Sequence, residues 1–225
     1  MAITNQQRTL LTPKAPRLPN ATPEYSKAYL DQLNNILRLY FNQLDNFEQA
    51  LLASSGGRFL SAPYGAFQDS TSQTAVVNTA TAMKFNTVDF ANETYVADGT
   101  KLRVNNAGIY NLQFSAQVQN TDNASHDLSI WLRQGNDGGT SVDIPGSTGV
   151  VGLPPRKTPT DYFHTLIGWN YFVQLNVDDF MEIYWSTDST FISIQAYPTT
   201  TAPIRPSTAS VIATLSFVSA LPALQ

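Results

Sequence analysis

Ile109-Tyr110-Asn111-Leu112-Gln113-Phe114-Ser115-Ala116-Gln117-Val118 alternates core-type and water-tolerant side chains at each step from Tyr110 on. A period of two belongs to a β-strand with one buried face and one wet face. The same period recurs downstream in Leu128–Arg133, His164–Leu175, Phe180–Trp185, Phe191–Tyr197 and Val211–Phe217. Upstream, Tyr95-Val96 and Leu102-Arg103-Val104 are short extended pieces on either side of Asp98-Gly99, a pair suited to a hairpin turn. Between the strands lie turn clusters, Asn105–Gly108, Gly135–Gly139 and Asn176–Asp179. Many short alternating strands at intervals of about ten residues, with no helical window after residue 65, predict a β-sandwich or barrel.

A helical period precedes the strands. Leu30, Leu33, Leu37, Tyr40, Leu44, Phe47 and Leu51 alternate spacings of three and four, a heptad seam with Leu at every a position. Thr22 can cap this helix, Pro23 suits its first position, and Ser54-Ser55-Gly56-Gly57 offers an exit. The expected helix covers residues 23–53 and is about 45 Å long. Ile36, Leu39 and Phe41 add apolar surface beside and behind the seam, more than a two-stranded zipper uses. They are candidates for a docking surface, and the seam is a candidate oligomerisation surface. Pro13, Pro16 and Pro19 recur through residues 1–22 and Pro23 follows, each disfavouring helix in the residue before it, and Arg8, Lys14 and Arg17 have no acid near them before Glu24. The expected division is an extended docking arm over 1–22, a heptad helix stem over 23–57 and a β-sandwich head over 58–225.

Composition narrows the function. Of the 225 residues, 42% are hydrophobic and 13% charged, the latter about half the share usual in soluble domains. An uncharged polar surface suits flat contact with neighbours in an assembly. A net charge of -4 and a pI near 5.0 give no field for nucleic acid. No run approaches the roughly 18 apolar residues of a membrane span. The start, Met-Ala-Ile-Thr-Asn-Gln-Gln, has no signal-peptide pattern, so the chain is expected to be made in a cytoplasm and used as translated. With no cysteine, neither a disulfide framework nor a thiolate metal site is available.

Catalytic patterns are missing. His126 and His164 have no metal-ligand spacing, and no nucleophile elbow or phosphate loop is present. Asp178 or Asp179 with Asn176, and Asp122 with Asn120 and Asn123, are weak calcium candidates that turn chemistry explains as well. No enzyme and no cofactor are expected. Trp131, Trp169 and Trp185 fall within strands, where core packing is the commoner role.

Gly108-Ile109-Tyr110 leading into the alternating strand resembles the central strand of the complement-globular-head and tumour-necrosis-factor superfamily of jelly rolls. His126–Arg133, Asp178–Trp185 and Ser210–Val218 resemble later strands of that fold, so the resemblance covers about residues 65–218. Phe114–Asp122, Trp169–Phe172 and Trp185–Asp188 are similar to heads on bacteriophage virion proteins. The resemblance implies a mainly β jelly-roll head and a homotrimer. It also implies that aromatic residues of the Gly-x-Tyr strand, here Tyr110 and Phe114, face the three-fold axis. On this reading the chain is a virion structural protein: a head fibre, capsid decoration or tail-associated fibre. It would attach to another virion protein through residues 1–53. The alternative is a carbohydrate- or cell-surface-binding adhesin, with a host-surface glycan as partner and aromatics such as Tyr162 or Tyr197 in contact with it.

Overall fold

The computed structural model describes residues 13–21, 23–52, 62–136, 138–139 and 141–221, in two units divided between residues 61 and 62. In the first unit, residues 13–21 form neither helix nor strand; Pro13, Pro16 and Pro19 are half-buried and most of the residues between them exposed. Residues 1–12 of the expected arm, with Arg8, lie outside the described residues.

Helix α1 spans Lys27–Leu52, about 39 Å at 1.5 Å per residue. It starts later than Thr22-Pro23 suggests. The Ser26 hydroxyl accepts the Tyr29 amide at 3.3 Å, and the Ser26 carbonyl accepts the amide of Leu30 at 3.2 Å. Ser26 is therefore the cap, and Pro23 and Glu24 form a bend ahead of it rather than a first turn. Thr22 and the Ser54–Gly57 exit lie outside the described residues.

Among its described residues the second unit contains sixteen strands. They are β1 (Tyr64–Asp69), β2 (Gln73–Thr74), β3 (Thr81–Ala82), β4 (Thr87–Asn92), β5 (Thr94–Ala97), β6 (Lys101–Val104), β7 (Gly108–Asn120) and β8 (His126–Gly135). They continue as β9 (Val142–Asp143), β10 (Gly149–Leu153), β11 (Phe163–Leu175), β12 (Phe180–Thr187), β13 (Ile192–Ile194), β14 (Thr200–Thr201), β15 (Ile204–Arg205) and β16 (Val211–Ser219).

Two antiparallel sheets face each other. The front sheet runs β4-β1-β16-β7-β11, with β13 and β2 continuing beside the end of β7. The back sheet runs β5-β6-β12-β8-β10, with β3 beside β12 and β9 beside β8. In chain order the main strands go β1 front, β6 back, β7 front, β8 and β10 back, β11 front, β12 back, β16 front. That alternation between sheets is the jelly-roll connection, so the expected mainly β head behind a helix is the fold observed.

The alternation of β7 sets the core. Tyr110, Leu112, Phe114, Ala116 and Val118 point between the sheets, as do Leu128, Ile130 and Leu132 of β8 and Ile183 and Trp185 of β12. β7 and β11 pair along their full 13 residues, from Gly108 opposite Leu175 to Asn120 opposite Phe163. Gly168 faces Ser115 in that ladder, and a Cβ there would run into the Phe114 carbonyl oxygen. At Asp98-Gly99 both residues have positive φ, 53° and 74°, in the three-residue turn Asp98–Thr100 that joins Ala97 of β5 to its partner Lys101 of β6.

Candidate functional site

The two outer faces of the sandwich differ in chemistry. On the back sheet, polar groups satisfy one another. Trp131 and Tyr184 lie with ring centroids 5.8 Å apart, and the Arg133 guanidinium sits 3.9 Å from the Tyr184 ring centroid. Arg133 donates to both Asp143 carboxylate oxygens, at 2.7 and 3.1 Å, and Trp131 Nε1 donates to the same group at 2.8 Å. The Arg133 hydrogen bond, with help from Trp131, holds the Asp143 carboxyl below its ordinary value of 3.8. Glu182 accepts a hydrogen bond from Thr100 at 2.6 Å. The polar groups of this face are paired with one another, and Val150 of β10 is exposed beside them.

The front sheet exposes more large apolar side chains, several of them aromatic. Strand register places Tyr64 and Gln68 of β1, Ile212, Thr214 and Ser216 of β16, Asn111, Gln113 and Ser115 of β7, and Leu166, Asn170 and Phe172 of β11 on its outside. At its β4 edge Phe90 is 62% exposed and meets Tyr64 edge-on, centroids 6.0 Å apart. Leu166 is 65% exposed and Phe172 57%. Among these outward strand positions in the described residues, Asp89 is the one carboxylate, and it is bonded to Gln68. Beside this face β11 pairs, among the described residues, with β7 alone and so forms a 13-residue edge strand.

Tyr110 and Phe114 are not on that outer face. Tyr110 is fully buried, its hydroxyl donating to the Asn106 carbonyl at 2.7 Å and its ring edge-on to Phe217. Burial pushes its hydroxyl pKa up. Phe114 packs edge-on against Trp169, centroids 4.7 Å apart. Both side chains fill the core of their own head, so the expectation that they face a symmetry axis is corrected. Ile109, Asn111, Gln113 and Ser115 are the β7 residues turned the other way. Of the tryptophans, Trp185 is fully buried, Trp169 half-buried against the core, and Trp131 outward on the back sheet.

On α1 the seam residues Leu30, Leu33, Leu37, Tyr40, Leu44, Phe47 and Leu51 are all half-buried, and so is Ile36. Leu39 and Phe41 are exposed, 55% and 56%, with Phe41 beside the Tyr40 ring. Apolar surface therefore remains on the seam and on both flanks. Among the described residues no helix is long and apolar enough to cross a membrane.

The weak cation candidates are taken up by local bonding. Asp179 accepts the Asn176 amide at 2.8 Å and so closes the turn into β12, with Asp178 at φ 65°. Asp122 accepts from His126 at 2.7 Å, the main cause of its lowered pKa, and Asp188 lies 3.3 Å from the other ring nitrogen. No group of three or more His, Asp or Glu suited to a metal ion occurs among the described residues.

A polar cleft, which composition and spacing did not indicate, opens where β7 and β11 meet the segment between β13 and β16. Gln117, His164, Tyr197, Arg205 and Thr208 line about 290 Å³. Tyr197 and Thr208 bridge through their backbones, with N–O distances of 2.9 and 2.8 Å. The Tyr197 hydroxyl is 2.8 Å from His164 Nδ1, and the rings stand edge to face. Arg205 lies 5.3 Å from the Tyr197 ring centroid and donates to the Thr208 hydroxyl at 3.3 Å. Of the two aromatics named as glycan contacts, Tyr197 belongs to this cleft; Tyr162, half-buried in the loop before β11, does not line it.

The class these features define is a two-sheet jelly-roll sandwich with a separate amphipathic helix. No protein-family model matches the chain, and no curated protein does. Among solved structures it is similar to the Eiger tumour-necrosis factor of S. frugiperda. The match has 10% identity and a TM-score of 0.49, and covers 74% of this chain and 99% of that one. The sandwich assignment stands on strand order and register alone.

Proposed function

We propose that the chain is a trimeric bacteriophage virion structural protein, a head fibre, capsid decoration or tail-associated fibre, docked on the particle through its N-terminal arm and helix. The observation that carries the assembly reading is the front-sheet exterior: apolar side chains in the open, one carboxylate, and an edge strand alongside. Apolar patches of this kind on a soluble head mark contact surfaces. A face and an edge are unlike surfaces, and joining unlike surfaces around an axis closes a ring. The number three and the virion setting come from the sequence resemblance of the head. The low charge content and the absence of cysteine fit a protein whose stability comes from packing and assembly.

The test is attachment. Purified full-length protein added to particles lacking it should bind and appear by electron microscopy as projections at one class of site. A variant without residues 1–53 should leave the particles bare. Binding that survives this deletion contradicts the docking role of arm and helix.

The second reading, a carbohydrate- or cell-surface-binding module, is favoured by the polar cleft. The two readings are compatible, since a projecting head can also be an adhesin. Binding to a glycan array tests it.

A further inference from the structure

We propose that the cleft between Gln117, His164, Tyr197, Arg205 and Thr208 binds an acidic saccharide, with a sugar carboxylate on Arg205. The assignment deepens the carbohydrate-binding reading and rests on it.

The cleft is built on a fixed frame. Gln117 comes from the central strand of the front sheet and His164 from the full-length ladder beside it. Tyr197 and Thr208 are held by their own backbone bridge, and Arg205 ends the β14–β15 hairpin. Its volume of about 290 Å³ lies just under the range of small-molecule sites, roughly 300–1,000 Å³, which suits one or two sugar rings.

The chemistry inside is that of donors. When the Tyr197 phenol gives its proton to His164 Nδ1, the neutral imidazole carries its own proton on Nε2 and is itself a donor. Burial pushes the Tyr197 hydroxyl pKa up, which keeps that proton in place at neutral pH. Arg205 spends one donor on Thr208, and among the described residues it forms no ion pair. By contrast Lys101, Arg133 and Lys157 each sit against an aspartate. In a chain of net charge -4, a half-buried guanidinium with spare donors is placed to take a carboxylate in a two-bond fork. The Gln117 amide and the Thr208 hydroxyl suit ring hydroxyls. Among the described residues that line the cleft none is aliphatic, so they form no anchor pocket of the kind a peptide's apolar side chain would fill.

Calorimetric titration of the full chain with trigalacturonate and with sialyllactose tests this, using their methyl esters, neutral lactose and free acetate as controls. At least one acidic saccharide should bind, its methyl ester at least about tenfold more weakly, with affinity falling as salt rises. Arg205→Ala should cost about tenfold or more and Tyr197→Phe less, each with an unchanged melting temperature. Arg205→Gln serves if the alanine variant melts early. Equal binding of ester and acid, or no effect at Arg205, overturns the proposal. Acetate binding as tightly as the saccharides makes this a carboxylate site rather than a sugar site, and overturns it too. On a glycan array, neutral glycans bound regardless of Arg205 would keep the adhesin reading while sinking this inference. An array with no binding at all removes both.

Discussion

At the scale of single residues, burial decides role. Tyr110 carries one buried hydroxyl with one partner, so Tyr110→Phe should lower stability by about 0.5–1.5 kcal/mol and leave the association state alone. Denaturant unfolding with a parallel mass measurement checks both halves; loss of assembly would restore an axis role. Asn120 is a second such residue. Its buried amide donates to the Ala124 and Pro154 carbonyls at 2.9 Å and to Leu153 at 3.3 Å, and its oxygen accepts the Asp122 amide at 2.8 Å. It ties the turn after β7 to the loop after β10. Asn120→Ala should cost about 1–3 kcal/mol or more, because the carbonyls it leaves are unpaired, and the loss should appear in urea unfolding. At Gly168 a methyl group has nowhere to go but into β7 backbone. Gly168→Ala should destabilise by about 1–3 kcal/mol, read as a lower melting temperature.

At the scale of elements, the Arg133–Asp143 pair gives a pH dependence. The folded pKa of Asp143 lies below its ordinary 3.8. Its contribution is therefore complete above that value and disappears as pH falls through the lowered one. The group is exposed, so the effect is under about 1 kcal/mol. Thermal melts of wild type and Asp143→Asn should differ at pH 6 and converge near pH 2. The elements also show what was legible beforehand. The long strands β7, β11, β12 and β16 were readable because each alternates, and the Asp98-Gly99 turn because its residues tolerate positive φ. β1 and β10 were not, since Gly65 and Ala66 in one and Gly149 and Gly152 in the other carry no period. The helix seam was readable but its start was not: Thr22 and Ser26 both offer a hydroxyl, and the bonds to Tyr29 and Leu30 decide. The cleft had no local signature at all. Gln117, His164, Tyr197 and Arg205 meet only because the topology brings β7, β11 and the β14–β15 hairpin together. For Tyr110 and Phe114, the resemblance assigned an axis-facing role, while the register of β7 turns both into the core.

At the scale of the whole molecule, the account rests on a front face that exposes more aromatic and aliphatic surface, and fewer charges, than the back face with its Arg133–Asp143 pair. A charge placed on the front face should break assembly without unfolding the head, because Phe90 and Phe172 are exposed. Phe90→Lys with Phe172→Asp should keep the wild-type circular dichroism spectrum and run as a single chain. The most direct test of the central claim is sedimentation equilibrium of the full chain at micromolar concentration. The account predicts one species at three times the 24.7 kDa chain mass; a monodisperse 24.7 kDa monomer would contradict it.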